Sequence, residues 1–117
     1  QINKYLIDPS DVPALHGYDY GIRRKGFFPQ DMPADWMDFN LIFTVACFYD
    51  ADDPVAFAHA VADRLAPDGL WCVEVADAGR MMREGGWDAI CHEHLCYYDV
   101  QTFLNVCGLA GLVLHGC

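Results

Sequence analysis

Cys91-His92-Glu93-His94, followed by Leu95-Cys96-Tyr97-Tyr98, puts two imidazoles, a carboxylate and a thiol into four residues. Three chemistries compete for such a run. Histidine titrates near neutral pH, and an adjacent carboxylate can hold its tautomer or its charge, which suits general acid–base work. As a metal site, His92 and His94 share one face of an extended segment. Zinc wants three or four ligands, however, and the spacing is not the H-E-x-x-H of a metalloprotease helix. A pair of loop histidines satisfied by hydrogen bonds, with no catalytic duty, is the third reading.

Asp8 is a second candidate. It ends the short apolar run Lys4-Tyr5-Leu6-Ile7, which reads as a strand, and it precedes Pro9-Ser10, a turn signal. An acid at the tip of a strand in a Rossmann-like sheet accepts hydrogen bonds from both hydroxyls of an adenosine ribose. A loop acid that caps the chain at Ser10 is the competing reading. No G-x-G-x-x-G accompanies it. If Asp8 is the ribose acid, the strand and glycine loop belong upstream of Gln1, and the chain reads as a fragment.

The elements that must position these residues follow from periodicity. Residues 11–20 suggest a helical turn or two broken at Gly17, and Gly21–Phe28 suggests a second short strand before Pro29 and Pro33 impose a loop. Phe39–Ala46 is almost continuously apolar, which predicts a strand buried on both faces of a parallel sheet. Asp53-Pro54 predicts a capped helix start, and Phe57, Val61 and Leu65 recur at helical spacing. Pro67-Asp68-Gly69 ends that helix, and Leu70–Val75 is a further buried strand. Asp99 opens a last helix ended by Gly108, and Leu112-Val113-Leu114 is a last short strand. Strands alternating with helices make βαβ units and a mostly parallel α/β sheet, whose ligands bind beyond the carboxyl ends of the strands.

Composition narrows the partners. The 117 residues carry 17 acidic against 7 basic side chains, a net charge of −10, so a phosphate backbone is disfavoured and no nucleic-acid partner is expected. No apolar run reaches the ~18 residues of a membrane span, so no membrane partner is expected either. Hydrophobic residues make up 54% of the chain, which argues against disorder. The six cysteines contain no C-x-x-C pair, and a reducing cytoplasm is the expected compartment.

The run Ile90-Cys91-His92-Glu93-His94-Leu95, with Tyr97-Tyr98, resembles the (Y/C)-H-E-H-L-x-Y segment of the sugar C-methyltransferase-like family of class I S-adenosylmethionine-dependent methyltransferases. Phe27-Phe28-Pro29, Ala46–Asp50, Asp53–Phe57 and Leu65-Ala66-Pro67-Asp68-Gly69 resemble it in order and spacing. The resemblance implies a Rossmann-like methyltransferase sheet lacking its first strand and glycine-rich loop, with residues 1–117 one partial domain. It implies S-adenosylmethionine as cofactor, with Asp8 on the ribose hydroxyls, Phe27 and Phe28 near the adenine, and Ala46 near the methionine part. It implies His94 as general base for carbon methylation, assisted by Glu93, within a catalytic run that includes His92 and Cys91. Cys91 stands where the family often has Tyr, and a thiol is a weaker donor than a phenol. The acceptor implied is a small molecule such as a nucleotide-linked sugar, no metal is implied at this site, and the parent's N- and C-terminal parts lie outside the chain. Two alternatives are an NAD-dependent oxidoreductase fragment on the same sheet, which a G-x-G-x-x-G upstream would reveal, and a truncated, non-catalytic piece.

Overall fold

The computed structural model of the protein describes residues 2–12 and 21–117. They form two compact units that divide between Trp36 and Met37. The expected helical turns broken at Gly17 lie for the most part outside the described residues.

In the first unit, β1 (Tyr5–Asp8) pairs in parallel with β2 (Ile22–Lys25), in a register that sets Tyr5 beside Ile22 and Asp8 beside Lys25. Both strands stand where the sequence predicts them. The Tyr5 ring meets the edge of Trp36 at a centroid distance of 4.9 Å, and that buried indole is the apolar anchor of this unit.

The second unit begins with β3 (Phe39–Val45), then α1 (Pro54–Arg64) and β4 (Leu65–Glu74). The helix starts as its sequence predicts. The Asp53 carboxylate accepts the Ala56 N–H at 2.9 Å, Pro54 takes the first turn, and Phe57 and Val61 are buried. β3 and β4 pair in parallel from Leu41–Leu70 to Val45–Glu74, as a crossover connection through α1 requires. Leu65 also pairs with Phe39, so β4 begins earlier than the Pro67-Asp68-Gly69 turn suggests, and residues 66–69 bulge out of the ladder. Glycine is required in that bulge, because a Cβ at Gly69 would lie 2.6 Å from the Phe39 carbonyl oxygen.

Helices α2 (Ala78–Glu84) and α3 (Val100–Leu109) complete the unit. Asp99 caps α3 as expected, accepting the Thr102 N–H at 2.7 Å. Gly108 does not end this helix, which runs on to Leu109 and turns away through Gly111 at φ 75°. Nor does Leu112-Val113-Leu114 form a strand. Among the described residues no strand pairs with it, and the Leu112 N–H donates to the Cys107 carbonyl instead.

Alternation decides what is buried. Ile42, Thr44, Trp71 and Val73 face α1 and α3, and Trp71 Nε1 donates to Thr44 Oγ1 at 2.8 Å, which satisfies both polar groups inside the apolar layer. Phe48 is wholly buried at the centre of that layer, with its ring 5.2–5.6 Å from Phe57, Trp71, Tyr98 and Phe103. On the opposite face Leu41, Phe43 and Val45 stand beside Leu70 and Cys72 in the open, Phe43 at 68% exposure. The expected burial of β3 on both faces is therefore not met. Trp71 contacts Phe57 of α1 and Phe103 of α3, so both helices cover one face, and within this unit none of the described residues covers the other.

Candidate functional site

Because β3 and β4 run in parallel, their carboxyl ends lie side by side. The Ala46 N–H donates to the Glu74 carbonyl at 3.1 Å, the last tie before the strands part. Ala46 then turns sharply, with φ at 50°. That left-handed conformation costs a residue with a Cβ about 1–2 kcal/mol. The turn opens a cleft of about 160 Å³ lined by Ala46, Tyr49, Glu74, Val75 and Ala76.

Tyr49 belongs to a short 3₁₀ turn, Phe48–Asp50, held down by the buried Phe48 ring. Its carbonyl accepts the N–H groups of both Leu95 and Cys96 at 3.0 Å, and its ring meets the His94 imidazole at a centroid distance of 4.0 Å. Tyr97 lies 5.8 Å from the imidazole on the same measure. The Tyr97 hydroxyl accepts the Cys91 N–H and donates to the Cys91 carbonyl, each at 3.2 Å, closing the loop that carries His94. A parallel bridge between Asp77 and Tyr98 ties the end of this loop to the chain leaving β4.

The surroundings of the cleft are acidic. Burial, then the charges of Asp50, Cys47, Cys91 and Glu74, push the Tyr49 phenol above its ordinary range. Burial also raises the Asp50 carboxyl, with Glu93 adding to the shift and His94 opposing it.

In the first unit, Asp8 ends β1, and the Gly26 N–H donates to the Asp8 carbonyl at 3.1 Å. Phe27 and Phe28 follow directly, so all three expected cofactor residues of this unit share the carboxyl end of its sheet. One Asp8 carboxylate oxygen accepts the Ser10 N–H at 2.8 Å and the Ser10 hydroxyl, the capping geometry the sequence allows. Phe27 is exposed, and its N–H donates to the Asp31 carboxylate.

The structure thus gathers Ala46 and His94 around Tyr49. The remaining members of the run differ in placement. His92 is 93% exposed at its side chain and stands 4.0 Å from the Glu93 carboxylate, a surface pair beside the site. Cys91 enters the loop through its backbone, and its thiol is free. Tyr49, Asp50 and Tyr97 are not singled out individually by the sequence. Tyr49 and Asp50 enter the sequence reading only as members of the Ala46–Asp50 run, and Tyr97 only as the closing residue of the histidine motif, with no role attached to any of them. Among the described residues, no three His, Cys, Asp or Glu side chains are grouped to hold a metal ion, and no helix is long and apolar enough to cross a membrane.

A family model described as a methyltransferase domain matches residues 2–115. Over 73 residues, 62% of this chain, the sequence is 30% identical to the C-methyltransferase NovU of Streptomyces niveus, of which the match covers 17%. A crystal structure from Thermotoga maritima, of a SAM-dependent methyltransferase described as a possible histamine N-methyltransferase, superposes with a TM-score of 0.71 at 17% identity. That superposition takes in 92% of this chain and 54% of the other. The chain therefore spans under a fifth of the curated relative and about half of the solved structure. The likeness in structure establishes the fold, an α/β Rossmann-like arrangement with parallel strands, as the sequence predicts.

Proposed function

From the chain's membership in the methyltransferase-domain family, matched over residues 2–115, we propose that it is the cofactor-binding and catalytic core of an S-adenosylmethionine-dependent methyltransferase that methylates carbon in a small molecule. The observation that carries the reading is the Ala46–Glu74 cleft at the carboxyl end of β3 and β4, with the His94 imidazole tilted against its Tyr49 wall at a centroid distance of 4.0 Å. Parallel sheets bind their ligands at that edge.

The cleft suits the methionine end of the cofactor. Its volume of about 160 Å³ is below the ~300 Å³ that a drug-sized molecule needs, so it has room for that end and not for the nucleoside. Ala46 and Ala76 leave the backbone open to close approach, and Glu74 complements an ammonium or sulfonium charge. Asp8 would hold the ribose hydroxyls, with Phe27 and Phe28 beside the adenine. When bound, the cofactor supplies a methyl group already electrophilic on its sulfonium.

The protein's task is then to make and aim a nucleophile. His94 removes the proton α to a carbonyl of the acceptor, leaving an enolate whose carbon attacks. Glu93 assists through the charge of the run, and His92 and Cys91 border the acceptor. A nucleotide-linked keto-sugar is the acceptor class this reading favours, and it is supported by the H-E-H-L run and by the similarity to a protein named a C-methyltransferase. The spacing of the six cysteines, with no C-x-x-C pair, supports a reducing, cytoplasmic setting.

The test is His94→Ala in the full-length protein, assayed for transfer from labelled S-adenosylmethionine to a nucleotide-linked keto-sugar. Loss of general-base catalysis should lower turnover by about 10²–10⁴-fold, with S-adenosylhomocysteine affinity unchanged by calorimetry. Unchanged turnover would eliminate the base role.

A further inference from the structure

We infer that Tyr49 is the positioning residue that fixes the plane of the His94 imidazole beside the cleft; the inference rests on reading His94 as the base. Three contacts converge on this one residue. The Tyr49 carbonyl takes the N–H groups of Leu95 and Cys96, which pins the backbone immediately after His94. Its ring lies 4.0 Å from the imidazole at an interplanar angle of 43°. The same side chain forms part of the cleft wall with Ala46 and Glu74. Anchoring below comes from Phe48, which is wholly buried, so the platform under His94 is set by the core.

His92 supplies the internal contrast. It sits two residues away, is chemically identical, and is 93% exposed, 4.0 Å from the Glu93 carboxylate. An imidazole delivers or takes a proton through one nitrogen along one direction, so a base without a fixed ring plane is a poor one. Aromatic pairs favour defined tilted or offset geometries, and a tyrosine face supplies the needed surface with little entropy of its own to lose. Tyr97 closes the loop through both Cys91 backbone groups, and its ring stands 5.8 Å from the imidazole.

The experiment uses the full chain labelled with ¹³C and ¹⁵N. Ring currents from Tyr49 should move the His94 imidazole protons upfield of those of His92 and His115 in the same spectrum. Tyr49→Leu should collapse that displacement, and Tyr49→Phe, which restores a ring, should recover it. Turnover with S-adenosylmethionine and a nucleotide-linked keto-sugar should fall on the order of 10²-fold in Tyr49→Leu, the cost of a base misplaced by about an ångström. The fall should sit in kcat with KM little changed, and Tyr49→Phe should recover most of it. The inference is overturned if the His94 and His92 signals coincide in the unmodified protein, a result that stands even should Tyr49→Leu fail to fold. It is equally overturned if Tyr49→Leu folds with signals and kcat unchanged. Failure of the base reading looks different: full turnover in His94→Ala with the upfield signals of the unmodified protein intact.

Discussion

Replacing Phe48 by Ala tests whether one ring holds both the core and the floor of the site. The side chain is fully buried and meets Phe57, Trp71, Tyr98 and Phe103 at 5.2–5.6 Å. Truncating a buried Phe to Ala costs about 3–5 kcal/mol, the lost transfer energy plus the cavity left behind. Four ring pairs are lost at once, and each such pair contributes about 0.5–1.5 kcal/mol beyond its buried area, so the upper part of that range is expected. That is comparable to the whole stability of a marginal domain, roughly 5 kcal/mol. With a urea dependence near ~2 kcal/mol per molar, the unfolding midpoint should fall by about 2 M. Phe48→Leu keeps much of the volume but loses the same four ring pairs, so it should cost about 2 kcal/mol or more while remaining milder than Phe48→Ala. Trp71 lies inside the cluster, so intrinsic tryptophan fluorescence during urea titration reports the loss directly. A Phe48→Ala cost below about 1 kcal/mol, far under the range for a buried ring, would refute the central place given to this residue.

Two further outcomes concern titration. The Thr102 backbone N–H, bonded to the Asp99 carboxylate, holds that carboxyl below its ordinary 3.8. A depressed folded value means the carboxylate stabilises α3 above pH 3.8 and ceases to as the pH falls through its lower native value. The Asp99→Asn variant should therefore lose less thermal stability than the unmodified protein on acidification below that point; parallel acid limbs in the two melting series would contradict it. Burial lifts the Cys107 thiol, so at mildly alkaline pH it should react last with iodoacetamide, well after exposed Cys47, Cys72 and Cys117. Peptide mass spectrometry over a time course reads the order, and equal rates for Cys107 and Cys117 in the native protein would overturn it.

Local chemistry was legible wherever one residue type does one job. Asp53-Pro54 and Asp99 announce helix starts because a short carboxylate and a fixed φ satisfy orphan N–H groups, and both caps form. The strand at Phe39–Val45 is equally plain, yet which of its faces is covered depends on where α1 and α3 pack, and an all-apolar run carries no alternation to reveal it. Leu112–Leu114 shows the same limit from the other side, since a short apolar stretch becomes a strand only when a neighbouring edge accepts its hydrogen bonds. In the site, Ala46 and His94 were readable as members of motifs. Tyr49 belongs to the same run as Ala46 but had no readable role, because that role arises from a carbonyl and a ring that meet residues some 45 positions further along the chain.

The bare strip of Leu41, Phe43, Val45 and Leu70 has a colloidal consequence. At neutral pH a net charge of −10 keeps copies of the chain apart. Near the isoelectric point of about 4.5 that repulsion vanishes, and at high ionic strength it is screened beyond about 3 Å. Under either condition, oily side chains on neighbouring molecules meet without opposition, so precipitation follows acidification or salting, and dilute alkaline buffer keeps the chain dispersed.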